Sequence, residues 1–372
     1  MGYLLAVRIG IDLRLNAYAP GGITAYACRL ALELPRLLRP DLLFLFPHRR
    51  DTQDFSIPGT QLHPLWTPPH HRWERWFLGA EVAPLRLHVF HSTDFIPIAW
   101  GASRKIITVH DLNFLYYPQY LTPSARHYYN DQIEWAVAHA DAVIADSYAT
   151  QDDLIRLLHV PASKITTIHL AASEEYRPLS QAAVAAVLAR YGLAPGYLLF
   201  VGTWEPRKNL PGLLEAFALL QASGQKQVLV IAGRPGWLYD EIFTRVRELR
   251  LEDSVRFLER PTTEELIALY NGARLLVLPS FYEGFGLPVL EAMQCGTPVV
   301  VSDRASLPEV VGEAGLCVDP EDPAAIADAC QRLIADPELH ARLQVAGLAR
   351  ARRFTWQATA QATLALYRSV AP

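Results

Sequence analysis

The segment Ser280–Asp303, SFYEGFGLPVLEAMQCGTPVVVSD, decides how the rest of the chain is read. It lies between the apolar runs RLLVLPS, which ends at Ser280, and TPVVVSD, which ends at Asp303, so it reads as strand, turn, helix, strand. Gly284 and Gly286 let the backbone turn tightly and approach a ligand closely. Pro288 suits the first turn of a helix, where a missing N–H costs nothing. The amides from Phe285 to Leu287 then point at whatever precedes the helix. Glu283 stands before it and Glu291 about one turn inside. Three readings are open: acids that stabilise a helix start, a carboxylate pair flanking a glycosidic bond, or a cradle in which amides hold phosphate and glutamates face sugar hydroxyls.

Outward from this segment the same plan repeats. YLLFVGT, QVLVIAG, VRFLE and GLCVD complete the strand candidates of the second half. LLAVRIGI, LLFLF, LHVFHS, KIITVHD, DAVIAD and KITTIHL make up the first, with helical stretches at Thr24–Leu38, Pro123–His139 and Tyr148–Leu158 among them. Alternation of this kind predicts an α/β fold of parallel sheets covered by helices. Pro178, Pro195 and Gly196 frame one Ala-rich helix, which places a linker near residues 173–196. The expected organisation is two Rossmann-like, doubly wound domains facing across a cleft, at 1–175 and 176–353. A final helix from 354 to 372 crosses back to the first. Ligands are expected at the carboxyl ends of the strands.

Composition sets outer limits. The 372 residues call for about two cores. A net charge of −4 gives no reason to expect nucleic acid. Cys28, Cys295, Cys317 and Cys330 have no metal or redox spacing and read as buried free thiols. The N-terminus shows no signal-peptide cleavage region, and no run reaches the ~18 apolar residues that span a bilayer. A cytoplasmic protein is the expectation.

Three other motifs carry chemistry. GTWEPRKNLPG places Gly202, Thr203, Arg207 and Lys208 between a strand and a helix that begins near Asn209. Cations beside a helix N-terminus make an anion site, with a solvated surface loop as the alternative. GGITAY puts Gly21 and Gly22 after the first strand without a G-x-G-x-x-G fingerprint. KIITVHDL leaves His110 and Asp111 at the carboxyl end of a strand, in either a structural or a catalytic role.

Taken together, GGITAY, VHDL, GTWEPRKN and SFYEGFGLPVLEAMQCGTPVV resemble, in this order and spacing, the retaining family-4 glycosyltransferases of GT-B fold. The similarity is to bacterial mannosyltransferase-like members with a GT-x-EPRKN loop, and it is strongest from Tyr197 to Pro320. The resemblance implies a nucleotide-sugar donor, a GDP- or UDP-hexose, and no catalytic metal. It also implies a glycan or lipid-linked acceptor in cell-surface polysaccharide or glycolipid synthesis.

Residue by residue, it assigns Arg207 and Lys208 to the diphosphate, with the amides of Gly284, Phe285, Gly286 and Leu287. Gly21, Gly22, Gly202 and Thr203 would line the donor. Glu283 would hold hydroxyls of the sugar, Glu291 the ribose, and His110 would lie beside the transferred sugar. Relatives often carry arginine directly after the first glycine, where this chain has Thr203, so Arg207 is read as its substitute. A GT-B epimerase or phosphorylase, and a non-catalytic nucleotide-sugar binding protein, are the alternatives.

HPLWTPPHHRWERWFLG, with Trp66, Trp73 and Trp76 among Arg72 and Arg75, suits peripheral contact with a membrane surface. A helix face packed on the first domain is the other reading of the same spacing.

Overall fold

The computed structural model describes residues 6–18, 21–120, 123–236 and 239–372. Leu4 and Leu5 of the expected opening strand lie outside the described residues, as do Ala19 and Pro20 ahead of Gly21. The chain forms two compact units, Met1–Leu170 with Thr355–Pro372, and Ala171–Phe354.

In the first unit the described strands are β1 (Arg8–Asp12), β2 (Leu42–Phe46), β3 (Thr60–Leu62), β4 (Leu87–Ser92), β5 (Ala102–Val109), β6 (Ala142–Ala145) and β7 (Ile165–Thr167). They run parallel in the order β3-β2-β1-β4-β5-β6-β7. The order reverses between β1 and β4, where successive crossovers leave in opposite directions and open a crevice. Ile9, Ile11, Val89, Phe90, Ile106 and Ile107 are fully covered, which is what a parallel sheet flanked by helices demands of its strands.

The last helix, Trp356–Val370, completes this unit against the helix Gly22–Glu33. Tyr367 Oη lies 2.6 Å from His91 Nδ1, and His91 Nε2 lies 2.8 Å from Thr108 Oγ1. Burial, helped by the charge on His110, pushes His91 down to about 3, so it is neutral and can accept and donate at once.

In the second unit the described strands are β8 (Tyr197–Val201), β9 (Leu229–Gly233), β10 (Val255–Glu259), β11 (Ala273–Leu278), β12 (Val299–Ser302) and β13 (Leu316–Val318). Their order is β10-β9-β8-β11-β12-β13, again parallel, with the reversal between β8 and β11.

Several sequence expectations change. The helix predicted to reach Leu38 stops at Glu33 and continues as a short 3-10 turn, because Pro35 has no N–H to extend the α-helical ladder. The tryptophan segment does not pack a helix face on its own unit through Trp73 and Trp76. Trp73 precedes the helix Glu74–Val82, whose buried face is Glu74, Leu78, Gly79 and Val82. Trp66, Trp73 and Trp76 are 66%, 46% and 51% exposed. The cysteines are free, but only Cys295 and Cys330 are buried; Cys317 is exposed on the edge strand β13.

Candidate active site

The reversal between β8 and β11 puts two loops side by side: the one after β8, with Glu205 to Asn209, and the one after β11, with Ser280 to Gly286. Pro206–Lys208 forms one 3-10 turn. Asn209, in the left-handed region at φ 56°, then starts the helix Leu210–Ala222 and caps it through Gly212 N at 3.2 Å. That turn leaves Lys208 only 6% exposed and aims it at the neighbouring loop.

Four charges meet there. Lys208 Nζ donates to Glu283 Oε1, which also accepts from Ser280 Oγ at 2.7 Å. Arg207 reaches Glu283 Oε2 at 3.1 Å through Nη1, Glu205 Oε1 at 2.7 Å through Nε, and the Tyr282 carbonyl at 2.9 Å. Burial alone would raise the Glu283 carboxyl, but Lys208 and Arg207 outweigh it and hold it down at about 2. Burial lowers Lys208 against the opposing pull of Glu283. The cluster is therefore a preorganised array of fixed charges in a poorly solvated place, where electrostatic interactions are strong. It can hold an anion on the cations and hydroxyl groups on the carboxylates.

Gly286 begins the helix Leu287–Gln294 at φ 98°, and a Cβ there would meet Leu307 at 2.6 Å. No side chain caps the helix; Pro288 has no N–H and Val289 N–H donates to the Gly286 carbonyl at 2.9 Å, so the Leu287 amide is the donor its first turn offers. Gly284 and Phe285 are buried beside Glu283, and Leu287 is half-buried. Glu291 sits one turn in, accepts from Tyr270 Oη at 2.6 Å, and is raised by burial against the bonds from Tyr270 and Tyr176. Glu283 and Glu291 thus have different partners.

Gly202 follows β8 at φ 159°, and Thr203 Oγ1 accepts from Arg234 Nε at 3.2 Å. The loop after β9 presses against this strand end: a Cβ on Gly233, at φ 155°, would lie 1.8 Å from the Gly202 carbonyl oxygen.

In the first unit, Gly22 opens the helix Gly22–Glu33, and a Cβ on it would meet nothing within 4 Å. Gly21 caps that helix, its N–H donating to Thr24 Oγ1 at 2.9 Å. His110 follows β5, with Nδ1 2.6 Å from Asp146 Oδ2 and Nε2 2.9 Å from the Thr93 carbonyl. A ring that donates from both nitrogens is an imidazolium. Burial would lower His110, but the Asp146 carboxylate overrides it and lifts the ring to about 9.

The structure joins Arg207, Lys208 and Glu283, but it leaves Glu291 with two tyrosines and His110 with Asp146. Glu205, Ser280, Tyr270, Tyr176 and Asp146 enter only through tertiary contacts. For Glu205 and Ser280 a signal existed, since both flank motifs already singled out. Tyr176 and Tyr270 lie in segments with no motif.

Two doubly wound units, one with an ion cluster and a helix start without a side-chain cap at its reversal point, make an α/β protein whose second unit can hold a charged, hydroxylated ligand. The comparisons specify it. Residues 193–350 match the profile described as glycosyl transferases group 1, and residues 20–175 match glycosyltransferase family 4. The O-antigen chain mannosyltransferase B of Escherichia coli is 38% identical over 283 residues, covering 76% of this chain and 74% of that protein.

The fold superposes on sucrose-phosphate synthase from Thermosynechococcus elongatus with a TM-score of 0.75 at 24% identity, covering 98% of this chain and 99% of the other. Anabaena HepE, solved with UDP and glucose, gives a TM-score of 0.76 at 19% identity, covering 98% of this chain and 100% of the other. The chain belongs to the group 1 glycosyltransferases, with a family 4 first domain, and is a glycosyltransferase of the GT-B class.

Proposed function

We propose that this enzyme transfers a hexose, with mannose the favoured sugar, from a GDP- or UDP-sugar to a glycan or lipid-linked acceptor of a cell-surface polysaccharide. Transfer proceeds with retention at the anomeric carbon and without a metal ion. The observation that carries the reading is the buried Lys208–Arg207–Glu283 cluster at the reversal point of the second sheet. The mannosyltransferase relative favours the sugar.

Lys208 and Arg207, with the amides at Gly284–Leu287 and Gly22, take the diphosphate and stabilise its charge as the glycosidic bond breaks. Glu283 exchanges part of its pairing with the cations for hydroxyls of the sugar, and Glu291, oriented by Tyr270, faces the ribose. Gly202, Thr203 and Gly21 line the donor. His110 lies beside the transferred sugar as a fixed positive charge, since its proton is held by Asp146 and it cannot act as a base.

The test is release of nucleoside diphosphate from GDP-mannose and UDP-glucose across a panel of sugar acceptors. Acceptor-dependent release with an α-linked product from GDP-mannose is expected. Tight donor binding with no acceptor-dependent release overturns the reading in favour of a binding protein. A rearranged donor points to an epimerase.

A cytoplasmic location with peripheral membrane contact belongs to the same proposal. Among the described residues, no helix is long and apolar enough to cross a membrane. Trp66, Trp73, Trp76 and Phe77 are exposed, with Arg49 stacked on Trp66 at 3.5 Å and Arg72 over Trp73 at 4.9 Å. Aromatic rings and guanidinium groups side by side suit an anionic headgroup layer. Co-sedimentation with phosphatidylglycerol vesicles should fall on Trp73→Ala/Trp76→Ala; sedimentation unaffected by either lipid charge or this variant removes the membrane contact.

A further inference from the structure

The first unit has its own reversal point, between β1 and β4, and a polar cluster fills it that the transfer scheme above does not use. Thr93 Oγ1 donates to the Asp12 carbonyl at 2.7 Å and ties the two loops together. Behind them Arg14, 2% exposed, lies 2.6 Å from Asp12 Oδ2 and 2.6 Å from Glu74 Oε1, and donates to the Thr67 carbonyl at 2.9 Å. Burying an ion triad carries a large desolvation cost, and its effect here is positional. The free oxygen of Glu74 accepts from the His70 N–H at 2.8 Å and holds His70 in the left-handed region at φ 61°. So placed, His70 Nε2 lies 3.1 Å from Asp94 Oδ2, and its ring lies 4.6 Å from that of Tyr128.

Three features describe what this arrangement takes. Asp94 and His70 remain partly open, with side chains 21% and 36% exposed, so a ligand can reach them. Asp94 directly follows Thr93, whose carbonyl accepts from His110 Nε2 at 2.9 Å, which sets the cluster next to a residue already assigned to the reaction. The Tyr128 hydroxyl is buried and has no hydrogen-bond partner among the described residues, a condition native structures rarely leave unmet. An open carboxylate accepts from hydroxyl groups and repels phosphate. The adjoining rings of His70 and Tyr128, 4.6 Å apart, give the site an apolar side suited to C–H groups, with Phe95 buried behind Tyr128.

We infer that Asp94, His70 and Tyr128 form the subsite for a neutral sugar ring of the acceptor, with the Asp94 carboxylate accepting from its hydroxyl groups. The assignment rests on the transferase reading for the word acceptor; the sugar subsite itself stands on the geometry of the first unit. Asp94 is a specificity-determining residue in this scheme, and Glu74 with Arg14 position His70 beside it.

The experiment compares wild type, Asp94→Asn and Tyr128→Phe in the full chain. Saturation-transfer NMR with methyl α-mannoside reads sugar binding, steady-state kinetics read the acceptor KM, and the thermal shift with GDP and UDP reads the donor site. Loss of a charged hydrogen bond in Asp94→Asn should raise the acceptor KM roughly tenfold or more and abolish the saturation-transfer signal, with the nucleotide thermal shift retained. Tyr128→Phe, which deletes one oxygen, should raise the KM in the same direction. An acceptor KM within twofold of wild type in both folded variants overturns the subsite. Wild type that binds the mannoside through Asp94 yet transfers to no acceptor supports the sugar site and overturns the transferase reading instead.

Discussion

Lys208 and Glu283, 75 residues apart in the chain, form a buried ion pair across the reversal point of the second sheet. Each carries 7% side-chain exposure, and the pair shares its surroundings with Arg207, Glu205 and Ser280. A pair placed this way is coupled in stability and, under the proposed mechanism, in transfer, and the two effects separate by experiment.

Removing one partner strips the other of its nearest counter-charge. A buried charge left wholly unpaired costs about 3–5 kcal/mol. Lys208 removal costs less than that, because Glu283 keeps Arg207 at 3.1 Å and Ser280 at 2.7 Å. Lys208→Met and Glu283→Gln should therefore each destabilise, and the double variant should lose much less than the sum. Urea unfolding of the four proteins measures the coupling; strict additivity would show that the pair does not interact. Under conditions where the single variants are folded, transfer should fall about 10²–10³-fold in each. Near-wild-type turnover in either would remove that residue from the mechanism.

Acid stability follows from Glu283. Its carboxyl is depressed from 4.5 to about 2 in the folded chain, so the native state prefers it ionised. The stabilisation is fully present above the ordinary carboxyl range and is lost as pH falls through it toward about 2. Glu283→Gln should flatten that part of the stability–pH curve, measured as denaturation midpoints from pH 5 to pH 2.

His110 has the opposite sign. Its ring is raised from 6.5 to about 9, so its contribution is complete below the ordinary histidine range and fades as pH climbs through about 9. Asp146→Asn removes the charge that raises it and should bring the imidazole back toward or below its ordinary value, visible as a shift of the ring-proton NMR titration. An unmoved titration would mean that Asp146 is not the cause.

Gly233→Ala tests the close approach of the loops after β8 and β9. A Cβ 1.8 Å from the Gly202 carbonyl oxygen cannot be accommodated without moving backbone. Loss of several degrees in Tm and weaker nucleotide binding are expected, because Gly202 leads directly into the Arg207–Lys208 turn. A variant with both properties intact would show that the two loops part easily.

Much of the fold was legible because parallel strands buried on both faces must be short apolar runs, and twelve of the thirteen described strands fall within or largely within the runs quoted from the two halves. β3 was missed: Thr60–Leu62 is a three-residue edge strand with an exposed Leu62, and nothing apolar marks it. Trp76 was ambiguous because a spacing of three says which residues share a helix face, but not which face meets the core.

The sequence by itself determined the alternation of strands and helices, the glycines and prolines that start the helix at Leu287, and the identity of the charged groups near Lys208 and Glu283. These are local properties, written in apolar period, backbone freedom and adjacency. Only the tertiary structure decided that Lys208 pairs with Glu283, that Tyr270 holds Glu291, that Asp146 keeps His110 charged, and that Asp94 meets His70. Those pairings depend on which strand ends lie side by side. Strand order is set by long-range crossovers whose packing no local period records.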